Sequence, residues 1–202
     1  SYAVGSAVKG ASISVGYKYK LIDDNFKVKD ACVKLYFQRD KCSWKSLGYI
    51  DDLEALRMSS NYYQYLLAIK LTGKNYSRGM NIGATKEHFE IYRNILKDYG
   101  LGTLSGIDLM NEGTGYKGTS ITDDQLLNMA IGQYDTYTPI SLTSYINTIA
   151  TSKRNKLSLL NMVLNKDGSV YSKNKNEVLS TPPINETDLN EIREGFRLVN
   201  YS

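Results

Sequence analysis

The sequence predicts a mainly helical single domain that also carries a β-hairpin, and three observations predict it. Apolar residues recur at helical spacing in Phe89, Tyr92, Ile95, Leu96 and Tyr99, and again in Leu189, Ile192, Phe196 and Val199. Val33, Leu35 and Phe37 alternate with Lys34, Tyr36 and Gln38, the period of a strand. The 202 residues, 42% hydrophobic and 23% charged, suit one globular domain with a substantial core.

Ala7 to Tyr19 is rich in small and apolar residues and suits a buried helix. In Lys29 to Trp44 the alternating run is followed by Arg39-Asp40-Lys41, read as the turn of a hairpin that returns through Cys42-Ser43-Trp44. A helical pattern begins at Ile50, breaks at Met58-Ser59-Ser60-Asn61 and resumes from Tyr62 to Leu71. Gly73 to Gly83 is a polar loop. Thr85 can cap the next helix, which Gly100 ends. Leu101 to Ser120 has many glycines and no period, so an extended surface segment is expected. Thr122-Asp-Asp-Gln125 opens a helix through Met129. Thr138-Pro139 reads as an N-cap followed by proline at the first helical position, and Ile140, Leu142, Tyr145, Ile146 and Ile149 give that helix an apolar stripe. Lys153 to Lys175 is charged and irregular, with one short strand expected at Leu159 to Leu164. Pro182-Pro183 stops what precedes it, and an amphipathic helix follows from about Thr187. No internal repeat, linker or second domain is evident.

The formal net charge is +4, with Lys and Arg dispersed along the chain, which does not suggest nucleic-acid binding. No apolar run reaches the roughly 18 residues of a membrane span and no signal peptide is visible. A membrane anchor, if the protein uses one, is expected outside these residues. Tyr2 to Val15 reads like the middle of a domain.

The chemistry centres on Tyr2-Ala-Val-Gly-Ser-Ala-Val-Lys9. On a helix, Ser6 and Lys9 at i and i+3 are surface neighbours. A serine hydroxyl is a poor nucleophile at neutral pH without an adjacent base. Lysine can be that base only where burial or nearby positive charge leaves its amine neutral. Ser-x-x-Lys alone is a common pattern, and the other stretches give it weight. Ser59-Ser60-Asn61 is a Ser-x-Asn element between two helical runs. Leu101-Gly102, Gly106-Ile107-Asp108-Leu109 and Glu112 follow, and then Ile131-Gly132-Gln133 with Thr138-Pro139 and Leu142. Cys42-Ser43-Trp44, Asp52-Leu53 and Ala55-Leu56 lead up to Ser59. In order and rough spacing these resemble the motifs of class B penicillin-binding proteins, monofunctional peptidoglycan transpeptidases, over nearly the whole chain.

The resemblance implies an α+β fold of the penicillin-binding protein/serine β-lactamase type, an antiparallel sheet packed between helices, with Ser6 opening a central helix. Residues 1–202 would be mainly its helical part, starting just before Ser-x-x-Lys and ending before the Lys-Thr-Gly strand, with the sheet incomplete. It implies acylation of Ser6 by a peptidoglycan stem peptide and covalent inhibition by β-lactams. Lys9 would be the base, Ser59 a proton relay, and Asn61 a support for the lysine and a substrate carbonyl, with Ser60 contacting substrate. The Ser6 N–H would supply half of an oxyanion hole. Without the other motifs, Ser59 and Asn61 would read as helix-capping residues. Expected partners are the rest of the transpeptidase domain and a membrane glycan polymerase, at the extracytoplasmic face of the membrane. Val4 stands where the family has proline, Ser141 where it has glutamine, and Lys117-Gly118-Thr119 falls too early to be the third motif and reads as a loop. Within the superfamily, a β-lactamase or β-lactam sensor shares Ser-x-x-Lys, but Gly-Ile-Asp-Leu and Ile-Gly-Gln…Thr-Pro argue against it. A non-catalytic wall-synthesis scaffold is the rival of another class.

The acyl-transfer chemistry itself requires no cofactor. Cys32 and Cys42, on the two arms of the hairpin, could face each other and form a disulfide outside the membrane. They could also be thiolate ligands, with His88 as a third, of a structural zinc, or remain free thiols. Family members with a structural zinc near the active site tilt the expectation towards metal.

Overall fold

The computed structural model describes residues 1–23 and 25–200. A 3-10 turn at Gly5–Val8 runs into α1 (Lys9–Ser12) and α2 (Ser14–Lys18). Ile13 between them keeps helical dihedrals, so the predicted helix is one path with a local tightening, marked by the Gly16 N–H on the Ile13 carbonyl at 2.8 Å. Residues from Val8 to Gly16 are all buried, and their small side chains explain how. A Cβ on Gly10 would lie 2.6 Å from Phe196 and 2.8 Å from the Tyr145 hydroxyl. One on Gly16 would lie 3.2 Å from Leu67. Glycine and alanine let neighbouring helices close directly onto this backbone.

Those helices are α3 (Asp52–Arg57), α4 (Asn61–Leu71), α5 (Lys86–Asp98), α6 (Asp123–Ala130), α7 (Pro139–Thr151) and α8 (Glu186–Val199). Local sequence sets their ends. Asp51, Ser60, Thr122, Thr138 and Asn185 each accept an N–H of the first turn, leaving fewer orphan donors at the helix start. Gly100, at φ +102°, ends α5 by taking a left-handed conformation that costs glycine little. The core gathers Tyr63 and Leu67 of α4, Phe89, Tyr92 and Ile95 of α5, Leu126 of α6, Tyr145 of α7 and Ile192 of α8 around α1 and α2.

The strands are short and form four antiparallel pairs among the described residues. β1 (Val28–Lys29) pairs with β4 (Tyr49–Ile50), and β2 (Cys32–Val33) with β3 (Lys41–Cys42). β5 (Arg154–Asn155) pairs with β8 (Val178–Ser180), and β6 (Met162–Leu164) with β7 (Val170–Lys173). The expected hairpin is present, but it turns earlier than Arg39. The Gln38 N–H bonds back to Leu35 at 3.2 Å, and Phe37 lies exposed at φ +53°. The strand expected at Leu159 to Leu164 begins at Met162. Strands of two or three residues are too short to display alternation, so β1, β4, β5 and β8 left no mark in the sequence. No helix among the described residues is long and apolar enough to cross a membrane.

Candidate active site

The turn that carries Ser6 is held from behind. Gly5 takes a left-handed φ of +56° and its N–H donates to the Gly132 carbonyl at 2.9 Å. A Cβ on Gly132 would lie 2.4 Å from the Gly5 carbonyl oxygen, so Gly132 serves as a bare backbone surface for the turn that carries Ser6. Tyr2 and Tyr137 exchange two 2.9 Å backbone bonds, and the Tyr145 hydroxyl donates to the Ala7 carbonyl at 2.9 Å. Val4 has φ −82°, near the value a proline ring would fix. The departure from proline therefore leaves the turn in shape. Ser141, in place of glutamine, is buried at the α7 cap, 2.9 Å from the Thr138 hydroxyl.

Ser6 is exposed and its hydroxyl makes no side-chain hydrogen bond among the described residues. Lys9, one turn on, is only 2% exposed. Its Nζ donates to the Ser59 carbonyl at 2.7 Å and to Asn61 Oδ1 at 2.7 Å, and lies 3.1 Å from Ser59 Oγ. Burial lowers the Lys9 pKa from 10.5 to about 7, against an opposing pull from Asp30. The neutral amine has two N–H groups and one lone pair. The two carbonyl-type oxygens can only accept and so take both N–H groups. The lone pair is left for a hydroxyl, which is what a general base needs.

Ser59 meets Lys9 because of its backbone. Only Met58, Ser59 and Ser60 separate α3 from α4, and Ser59 turns the chain at φ +54°, a conformation uncommon outside glycine and costing about 1–3 kcal/mol. Asn61 begins α4. Its Oδ1 faces the lysine and its Nδ2 donates to the Cys42 carbonyl at 3.2 Å. A donor on one side and an acceptor on the other fix that amide orientation.

Ser60 corrects an expectation. It is fully buried, accepts the Tyr63 N–H at 3.0 Å as the α4 cap, and donates to Asp30 Oδ2 at 2.7 Å. It cannot contact a substrate, and it is Ser60, not Ser59 or Asn61, whose side chain caps the helix. The zinc expectation is also corrected. Cys32 and Cys42 are register partners across β2 and β3 with Cα atoms 4.2 Å apart, and they form a disulfide. A disulfide offers no thiolate to a metal. His88 Nδ1 accepts the Thr85 N–H at 3.0 Å at the start of α5, and no group of three or more His, Cys, Asp or Glu among the described residues could hold a metal.

Other motif residues are structural. Glu112 accepts the Ser105 and Gly106 N–H groups at 2.7 and 3.2 Å, and Asp108 accepts those of Leu159 and Leu160 at 2.7 and 2.9 Å. These carboxylates shape the glycine-rich segment. Gly118, as expected, lies in a loop, bonded to Arg93 and Asp135.

Sequence reasoning missed three residues beside the site. Asp30 and Ser43 support α4 from outside it, and the exposed Trp44 donates its Nε1–H to the Met58 carbonyl at 3.0 Å, next to Ser59. Ser43 and Trp44 lay within a quoted stretch without a role assigned to either, but nothing in the local pattern marks Asp30.

The profile of the penicillin binding protein transpeptidase domain matches residues 1–202. Penicillin-binding protein 2A of Bacillus subtilis is 39% identical over 208 residues, a match that covers 98% of this chain and 29% of that protein. Penicillin-binding protein 2B of Streptococcus pneumoniae is 33% identical over 157 residues, covering 75% of this chain and 23% of the relative. The structure of penicillin-binding protein 2B from Streptococcus pneumoniae strain 5204 superposes with a TM-score of 0.93 at 28% identity, over all of this chain and 35% of that one. Penicillin-binding protein PBPA from Mycobacterium tuberculosis, at 15% identity and a TM-score of 0.77 over 99% of this chain and 44% of that one, shares the fold. The chain spans less than a third of the two Bacillus subtilis relatives. With the α+β arrangement and the Ser6, Lys9, Ser59 and Asn61 grouping, these matches show that the chain belongs to the penicillin-binding protein transpeptidase family, as a class B domain.

Proposed function

We propose that the protein carrying this chain is a serine DD-transpeptidase that cross-links peptidoglycan stem peptides through an acyl-enzyme at Ser6. The observation that carries the reading is Lys9, buried, its pKa lowered to about 7, and bonded to Ser59 and Asn61 one helical turn from an exposed serine.

On this reading Ser6 Oγ attacks the carbonyl of the penultimate D-alanine while its proton passes to Lys9. The peptide C–N bond breaks, and the leaving amine of the terminal D-alanine takes a proton relayed through Ser59. An amino group from a neighbouring stem then attacks the ester, forms the cross-link amide and returns Ser6 to its hydroxyl form. A β-lactam acylates the same oxygen by opening its ring C–N bond, and no fragment departs to make room for the second amine. The Ser6 N–H is one oxyanion donor. The other donor, on this reading, is supplied by the family's Lys-Thr-Gly strand. We place the domain at the extracytoplasmic face of the membrane, beside a glycan polymerase that supplies nascent strands.

Intact-mass spectrometry of the complete protein after incubation with benzylpenicillin tests the reading. One adduct of the penicillin mass, mapped to Ser6 and stable for hours, is the expected result. Hydrolysis of the adduct within seconds would identify a β-lactamase instead. No adduct in a folded sample would refute the nucleophile and favour a scaffold.

A further inference from the structure

We propose that Asp30 is a positioning residue of this site, holding Asn61 and Ser59 against Lys9 by orienting two serine hydroxyls at the start of α4. The inference rests on the transpeptidase reading above and deepens it.

Asp30 follows β1 and is buried, its backbone N–H on the Gly48 carbonyl at 2.7 Å. Its Oδ2 accepts from Ser43 Oγ and from Ser60 Oγ, both at 2.7 Å. A carboxylate can only accept, so each serine must give it its one proton. Both serine oxygens are then left as acceptors, and both face the first turn of α4. Ser43 Oγ accepts the N–H of Asn61 at 3.1 Å and of Tyr62 at 3.3 Å, and Ser60 Oγ accepts that of Tyr63 at 3.0 Å. All three leading amides of the helix are thereby satisfied by hydroxyls that one carboxylate orients.

A single serine cap would suffice to start a helix. Burying a carboxylate to orient two serves a sharper purpose, since charge-assisted bonds are short and directional. Asn61 is the first residue of this helix, so fixing its amide fixes the side chain that holds Lys9 Nζ. Ser59, one residue before the Ser60 cap, is fixed with it. The negative charge also favours the helix N-terminus.

Asp30 acts on Lys9 by its field as well, stabilising the ammonium form against burial. Tyrosines Tyr63, Tyr92 and Tyr145 of the surrounding helices have their pKa values raised by burial and stay neutral. Among the described residues Asp30 is the charged group that tunes the lysine.

The test is the second-order rate of acylation by a fluorescent penicillin, measured from pH 5 to 9 on the complete protein. Asp30→Asn keeps an acceptor oxygen and removes the charge. Its acid limb should move to lower pH, with a plateau within about threefold of wild type. Asp30→Ala frees both hydroxyls, and its plateau should fall about 100-fold in protein that still melts cooperatively. If that variant does not fold, the Asp30→Asn limb decides alone. A folded Asp30→Ala protein with an unchanged plateau, or an Asp30→Asn limb that does not move, overturns this proposal only, provided wild-type acylation is normal. Absence of wild-type acylation would overturn the transpeptidase reading and this one with it.

Discussion

The sharpest consequence of the site is the pH dependence of Ser6 acylation in the unmodified protein. Lys9 can accept a proton only as the neutral amine, and burial brings its pKa to about 7. The neutral fraction is then about 1% at pH 5, half at pH 7 and nearly complete at pH 9. The acylation rate should therefore rise about 50-fold from pH 5 to pH 7 and only about twofold from pH 7 to pH 9. A lysine at its ordinary value of 10.5 would give the opposite profile, rising about tenfold per pH unit through pH 9. Stopped-flow or gel-based acylation with a fluorescent penicillin distinguishes the two. A continuing tenfold rise per unit above pH 8 would refute the reasoning. The same shift links to stability. The unfolded chain binds more protons than the folded one between pH 7 and 10.5, so stability rises with pH across that window. Below pH 7 the burial costs about 5 kcal/mol in full. Lys9→Met removes that penalty but leaves the Ser59 carbonyl and Asn61 Oδ1 without their donor, at about 1–3 kcal/mol each. Wild type should thus gain stability on Lys9→Met from pH 7 to pH 10, while the variant loses acylation by about 100-fold or more.

Three further outcomes are expected. Gly132→Ala would place a Cβ 2.4 Å from the Gly5 carbonyl, at φ +73°. The turn carrying Ser6 must move, so acylation should fall about 100-fold, read by the same penicillin assay, with melting followed alongside. Replacing Cys32 and Cys42 with serine opens a disulfide of sequence separation 10. Stability should fall by about 2–3 kcal/mol in denaturant titration, and a reducing agent should reproduce the loss in wild type but not in the variant. Arg93→Ala strands Asp135, which is 3% exposed and paired with Arg93 at 2.8 Å. Equilibrium unfolding should show a loss of about 3–5 kcal/mol, whereas Arg197→Ala on the exposed face of α8 should stay within about 1 kcal/mol of wild type.

The helices and their ends were legible because capping is a bond between near neighbours. Thr122, Thr138 and Gly100 announce what they do within four residues of sequence. The pairing of Ser6 with Lys9 was legible for the same reason, the two being one turn apart. Strands β1, β4, β5 and β8 were not, since their pairing partners lie far along the chain. Ser59-Ser60-Asn61 shows the boundary most clearly. Its composition promised a cap and a catalytic pair, but only the left-handed turn at Ser59 decides that Ser60 faces inward to Asp30 while its neighbours reach Lys9. The fate of Cys32 and Cys42 likewise depended on register, which set them opposite each other.

The sequence by itself therefore determined most of the helices, the capped starts at Thr85, Thr122 and Thr138, and which serine and lysine share a turn. Each of those follows from bonds made within a few residues. It did not determine that Ile50, expected to open a helix, lies in β4 and that α3 starts at Asp52. The tertiary structure alone decided that burial lowers the Lys9 pKa, that two serines donate to Asp30, and that the cysteines pair. A protonation state depends on everything that excludes water from a group, and those neighbours come from the other end of the fold.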